Sequence, residues 1–295
     1  LINTNVKPFE GEEIANVTGT EFKITDKKNQ YAISGQGAVS YVKDGNADST
    51  GYYYNIDVGK VGGKFRYSLS QRIENHKYNP NALGFLRQNN EMTTVVDLDY
   101  NIYNPFWRFL QLFNSLTAYQ SYLYSPRKFS EFEIYFRSMG TFRNHLSVNF
   151  DGSYRPVEGY NYYEPRVKGK KYKEYPSWYA GGWISSDYTK RFAIDVNTGL
   201  WRRDHYDEQS FWYGISPRTR LNDKLMLILN FQNSFDVNEP GYVGHTDDED
   251  TVFFGKRDRT TLENIINLNY IFTNKASLSF RLRHNWSKVV YDTFF

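Results

Sequence analysis

Residues 277–289 read Ser-Leu-Ser-Phe-Arg-Leu-Arg-His-Asn-Trp-Ser-Lys-Val, and this stretch decides the fold class. Leu278, Phe280, Leu282 and Trp286 occupy alternate positions, while Ser279, Arg281, Arg283, Asn285 and Ser287 fill the others. Side chains that alternate with a period of two point to opposite faces of a β-strand. One face is therefore apolar and ends in an indole; the other is polar and basic. In a soluble sheet the polar face meets solvent, and in a barrel it lines the lumen.

The same pattern extends outward from this strand. Residues 261–272 place Leu262, Ile266, Leu268, Tyr270 and Phe272 opposite Glu263, Asn267 and Asn269, and Thr273-Asn274-Lys275 joins the two strands as a tight hairpin. Residues 94–103, 145–155, 192–200 and 225–235 alternate in the same way. Shorter or noisier strands are read at 22–24, 31–42, 52–58, 64–72, 111–124, 128–137, 178–186 and 209–216. The count is about 14 antiparallel strands in one domain, 1–295. Ser138-Met139-Gly140 reads as a break between strands, and residues 75–91, 156–176 and 236–250 read as long connections. Long links on one side and short ones on the other characterise outer-membrane barrels. The prediction is an all-β transmembrane antiparallel β-barrel, incomplete as it stands, in the cell outer membrane.

Composition agrees. Aromatics make up 18% of the 295 residues, with 26 Tyr, 22 Phe and 6 Trp, which favours strands and interfacial rings. Mean hydropathy is -0.68, and no run of 18 apolar residues occurs, so helical membrane spans are excluded. Barrel strands are not, because only every second residue faces lipid. The absence of cysteine excludes disulfides and thiol chemistry. A net charge of +3 from 36 basic and 33 acidic residues lacks the basic face of a nucleic-acid binder. The chain opens at Leu1 without a charged and apolar leader, so it reads as a piece of a longer chain.

The residue types that carry chemistry form no known motif. His76, His145, His205, His245 and His284 make no HExxH or i, i+4 pair. Asp247-Asp248-Glu249-Asp250 lacks the spacing of a calcium loop, and Lys168-Gly169-Lys170-Lys171-Tyr172-Lys173 reads as a charged loop tip. Asp204, Asp207 and Glu208 beside Trp201 and Trp212 have the residue types of a saccharide or glycosidase site. Neither a nucleophile elbow nor a phosphate loop is present. Gly35 and Gly37 alternate within one strand, which suggests close packing of the wall. No catalytic, cofactor or metal residues are therefore assigned. The candidate functional residues are lumenal charges: Arg66, Asp97, Asp99, Asp195, Arg281 and Arg283, with Lys64, Arg72, Glu131, Glu133, Arg137 and Asp151 in support. They either bracket a water-filled path or cross-link a closed interior.

The C-terminal stretch also carries a resemblance. Phe253-Phe254-Gly255-Lys256-Arg257-Asp258, then Thr261-Leu262-Glu263-Asn264-Ile265-Ile266-Asn267-Leu268, then Arg281 to Val289, resembles the DUF5916 family of Bacteroidota proteins. The resemblance implies a large outer-membrane barrel, preceded in the family by a family 9 carbohydrate-binding-like domain that is missing here. It supplies no catalytic residues. The expected function is binding or passage of an extracellular nutrient, saccharide-related by family association. The expected partners are outer-membrane lipid and lipopolysaccharide, a saccharide ligand, and an outer-membrane protein complex. Two other readings stand beside it. One is an accessory outer-membrane protein with a plugged lumen. The other is a soluble carbohydrate-binding protein or glycosidase, in which Leu278, Phe280, Leu282 and Trp286 pack on a second sheet.

Overall fold

The computed structural model describes residues 1–7, 14–45, 47–82 and 84–295. Among these there are 17 antiparallel strands and no helix. The first half comprises β1 (Ile2–Val6), β2 (Ile14–Thr25), β3 (Tyr31–Asp44), β4 (Ala47–Lys60), β5 (Phe65–Glu74), β6 (Glu91–Ile102), β7 (Phe109–Leu123), β8 (Phe129–Phe142) and β9 (Ser147–Arg155). The second comprises β10 (Gly159–Asn161), β11 (Tyr172–Glu174), β12 (Ser177–Ser185), β13 (Phe192–Arg203), β14 (Glu208–Asn222), β15 (Leu225–His245), β16 (Val252–Thr273) and β17 (Ala276–Phe294). Fifteen strands form one meander in chain order, interrupted only by the small β10–β11 hairpin between β9 and β12. Among the described residues the sheet is open: β1 pairs only with β2, β17 pairs only with β16, and the two edge strands do not pair with each other.

Register carries the alternation across the whole sheet. Leu262 faces Trp286, Ile266 faces Leu282 and Leu268 faces Phe280, while Glu263 faces Asn285 and Asn267 faces Arg281. Far along the sheet, Ile24, Ile33, Val58, Leu69 and Val96 form an apolar row by successive pairing. A slip of one residue in any pair would break the row, so patterning fixes register.

Burial is inverted relative to a soluble sheet. Leu69, Val96, Leu98 and Tyr100 are exposed, whereas Ser68, Ser70, Asp97 and Asp99 on the opposite face are half-buried. Phe280 remains 53% exposed and Phe150 56%, while Ser40, Thr93, Asn101, Ser121, Asn149 and Ser177 are buried. No second sheet covers Leu278, Phe280, Leu282 and Trp286 among the described residues, since the only other sheet is the β10–β11 hairpin.

Three sequence expectations are corrected. All 14 anticipated strands are present, but β1, β10 and β11 are added; the three are five residues or fewer and too short to show a period. Ser138-Met139-Gly140 is not a break. β8 runs through it, with Ser138 paired to both Asn114 and Phe150, and the turn comes at 143–146. Gly140 is a packing position instead: a Cβ there would lie 2.8 Å from Cε1 of Phe109. Of residues 236–250, only 246–250 belong to a connection; 236–245 are strand. β15 continues for 21 residues and β16 for 22, leaving 246–251 as the connection. The register shift between Asp236 and Glu239 absorbs the irregularity that hid this strand, in the manner of a β-bulge.

The two ends of the meander differ. At one, links such as 26–30, 143–146, 223–224 and 274–275 are short. At the other, residues 75–90 and 156–176 form long connections. These are called the turn end and the loop end.

Candidate functional site

The polar face is most densely organised at the loop end, around Arg155. Glu131 and Glu133 alternate on β8 and so share a face, and Arg155 closes the adjacent β9. Arg155 Nε donates to Glu133 at 2.7 Å, Nη2 lies 3.0 Å from Glu131, and Nη1 donates to Glu174 of β11 at 3.3 Å. One guanidinium thus ties β8, β9 and the β10–β11 hairpin together through charge-assisted bonds. Beside it, Glu91 of β6 accepts hydrogen bonds from Thr93 and Tyr119 at 3.0 Å and from Ser121 at 3.1 Å. All three bonds reach one oxygen, Oε1. Glu91 is registered directly opposite Glu74, which is only 2% exposed and ion-paired with Arg72.

These groups line a cavity of about 260 Å³. Glu91, Glu131, Glu174 and Arg155 face it from the sheet and hairpin, and Tyr122, Tyr160, Tyr162 and Tyr163 supply aromatic walls. Three of those tyrosines belong to the 156–176 connection, which is held over the loop end by long-range contacts. Tyr163 donates to the Asn89 carbonyl, and Tyr162 donates to that of Phe129 at 2.8 Å. On the other flank Lys170 donates to the Asp250 carbonyl at 2.7 Å, and the Arg166 guanidinium lies 4.5 Å from the Tyr242 ring centroid. Tyr172 packs on Phe254 at 4.6 Å, and Tyr175 stacks on His205 at 3.7 Å. Burial pushes the Tyr163 hydroxyl up to about 12, so it stays a hydrogen-bond donor at neutral pH.

The six predicted lumenal charges all lie on the polar face but do not converge. Arg66 faces Asp99, with 3.8 Å between their charged groups. Asp97 accepts from Thr117 at 2.6 Å and Ser68 at 3.4 Å. Asp195 accepts from Ser185 and from the Tyr188 hydroxyl. Arg281 faces Asn267, and Arg283 is ion-paired with Glu263. Of the supporting residues, Arg137 donates to Asn149 at 2.9 Å and Asp151 accepts from Tyr179 at 2.7 Å. Lys64 lies in the link before β5. Glu131 and Glu133 are the two that enter the Arg155 cluster.

Several sequence features take structural roles. Glu208 is held by Arg203 at 2.9 Å, Asp207 pairs with Arg202 at 3.5 Å, and Trp212 stacks on Tyr179 at 5.4 Å. Within the acidic run, Asp248 accepts from Thr246 and from the Asp250 amide, which holds its carboxyl below the usual range. In the basic run, Lys173 pairs with Glu158 at 2.7 Å, and Lys171 lies 3.6 Å from the Tyr160 ring centroid. Among the described residues no cluster of three or more His, Cys, Asp or Glu side chains is arranged to hold a metal.

Sequence reasoning missed Glu91, Arg155, Glu174 and the three loop tyrosines. The like parity of Glu131 and Glu133 beside Arg155 was the available signal. The tyrosines carry no period, and only the folded connection brings them to the sheet. No curated protein and no solved structure matches the chain. The sequence profile of the domain of unknown function DUF5916 matches residues 1–295, and the chain belongs to that family.

Proposed function

We propose that this chain forms the wall of an outer-membrane β-barrel, apolar face to lipid and polar face to a lumen, and that it binds or admits a small polar nutrient from outside. The inverted burial supports this reading: large apolar side chains stay exposed across the sheet, while the polar face is shielded and hydrogen-bonded. Lipid is the solvent for which such a face is suited. In lipid the free edges of β1 and β17 require hydrogen-bonding partners, which each other or further strands would supply. The 156–176 connection and the Arg155 cluster favour a second reading of the same wall, an accessory outer-membrane protein with a plugged lumen. Lipopolysaccharide and a partner complex are the expected surroundings in either case.

The test is a pair of substitutions on opposite faces of β17, read by folding into lipid vesicles over a denaturant series. Phe280→Arg, on the apolar face, is expected to cost about 2–4 kcal/mol if it lies near the bilayer midplane. Ser279→Arg, on the polar face, is expected to cost far less. Equal costs, or failure of the parent protein to partition into vesicles, would overturn the membrane reading.

A further inference from the structure

We infer that the loop-end cavity is a binding site for a small organic cation, a primary amine whose ammonium is taken by carboxylates between tyrosine rings. The inference deepens the proposed function by naming the ligand chemistry, and it rests on that reading only for which side of the membrane the cavity faces.

Charge balance comes first. The cavity is lined by three carboxylates, Glu91, Glu131 and Glu174, against one guanidinium, Arg155. Arg155 binds one oxygen of Glu131 and one of Glu174, in each case Oε2. Glu91 has no ion-pair partner among the described residues; its only hydrogen bonds come from hydroxyls and reach Oε1. Directly across the ladder stands Glu74, buried and ion-paired with Arg72. Like charges placed opposite each other in a sheet destabilise it. Arg72 answers that repulsion at Glu74, and Glu91 is the carboxylate left for a cation to answer.

The walls suit the same ligand. Tyrosine faces attract ammonium groups through the ring quadrupole. The protein already does this with one of the lining rings, where Lys171 holds its own ammonium 3.6 Å from the centroid of Tyr160. A volume of about 260 Å³ admits a small molecule and excludes a folded chain. The donors of Arg155 are directed at carboxylates, so an anionic ligand would meet repulsion with little compensation.

The experiment is calorimetric titration of the full chain in detergent micelles with glucosamine, using glucose, which has a hydroxyl in place of the amine, and N-acetylglucosamine as neutral counterparts. Saturable binding of glucosamine, weakened by salt and absent or at least about tenfold weaker for both neutral sugars, is expected. Glu91→Gln should weaken it by about tenfold, while Asp26→Ala, in the 26–30 link at the opposite end of the sheet, should leave the affinity at the parent's value. Equal binding of the neutral sugars, or an unchanged affinity in Glu91→Gln, would overturn the inference, as would no glucosamine binding by folded protein. Partition into vesicles is read separately, so failure here leaves the membrane wall standing.

Discussion

The two ends of this sheet solve the problem of reversing a chain in opposite ways. At the turn end several links are closed by their own residues. Asp26 accepts from the backbone amides of Gln30 at 2.6 Å, Tyr31 at 2.9 Å and Lys28 at 3.3 Å. Asp187 accepts from the Thr189 amide and Asn222 from that of Lys224, so side chains stand in for missing backbone partners. At the loop end the long connections are closed by contacts distant in sequence: Tyr163 to Asn89, Lys170 to Asp250, Asn90 to Ser125. The difference teaches that the turn end is built for economy of chain, while the loop end is built to hold a shaped, charged surface. Connections that carry function are the ones with such surplus length.

Three experiments would break or sharpen that contrast. The largest effect is expected from replacing residues 157–175 with a short Gly-Ser link and measuring conductance in planar bilayers. Under the barrel reading, the deletion should raise single-channel conductance severalfold, and an unchanged value would mean that the connection does not obstruct the lumen. A smaller change is expected from Arg155→Gln, which leaves Glu131, Glu133 and Glu174 facing one another. Because Arg155 is only partly shielded, its loss should cost about 1–3 kcal/mol and make the 156–176 connection cleavable by protease before the strands are. Cleavage at the parent's rate would show that the cluster does not hold the connection down. The smallest is Asp26→Ala at the turn end, where only the amides of Lys28, Gln30 and Tyr31 should exchange faster. Those backbone bonds hold the Asp26 carboxyl below its usual value. Its contribution is therefore present above the unfolded carboxylate range, near about 3.9, and is lost as pH falls through the lower folded value. Faster exchange that spreads into β2 and β3 would contradict a locally closed turn.

The strands were legible because their information is local. Leu278 to Trp286 declares its two faces within nine residues, and each neighbour repeats the declaration, so register follows from matching like to like. Turns such as 26–30 and 274–275 were legible for the same reason. The site was not. Glu91 opens a strand with an ordinary polar residue, and nothing nearby announces that Glu74 stands opposite it across a connection of 75–90. Tyr160, Tyr162 and Tyr163 belong to a segment whose shape is set by Asn89, Phe129 and Asp250 together with the Arg155 ion pairs. The upper half of β15 failed for a different reason. Pro240 and Gly241 look like loop residues, yet Arg257 and Arg259 clamp Glu239 and Asp236 at 2.8–3.0 Å and carry the ladder past the bulge. Ion pairs there do what alternation does elsewhere.

The length of that hairpin has a consequence for reach. Twenty-two extended residues of β16 span about 70 Å along the strand, whereas the hydrocarbon layer of a bilayer is about 30 Å thick. Even when tilted, a wall embedded in lipid would raise the β15–β16 tip well clear of the headgroups, with Asp247 to Asp250 at its summit. The hairpin is then a mast rather than a rim. On the proposed membrane reading, with the loop end outward, it would be the place where an antibody, a phage or a neighbouring receptor first touches the protein, and a site for a tag that reports its presence on intact cells.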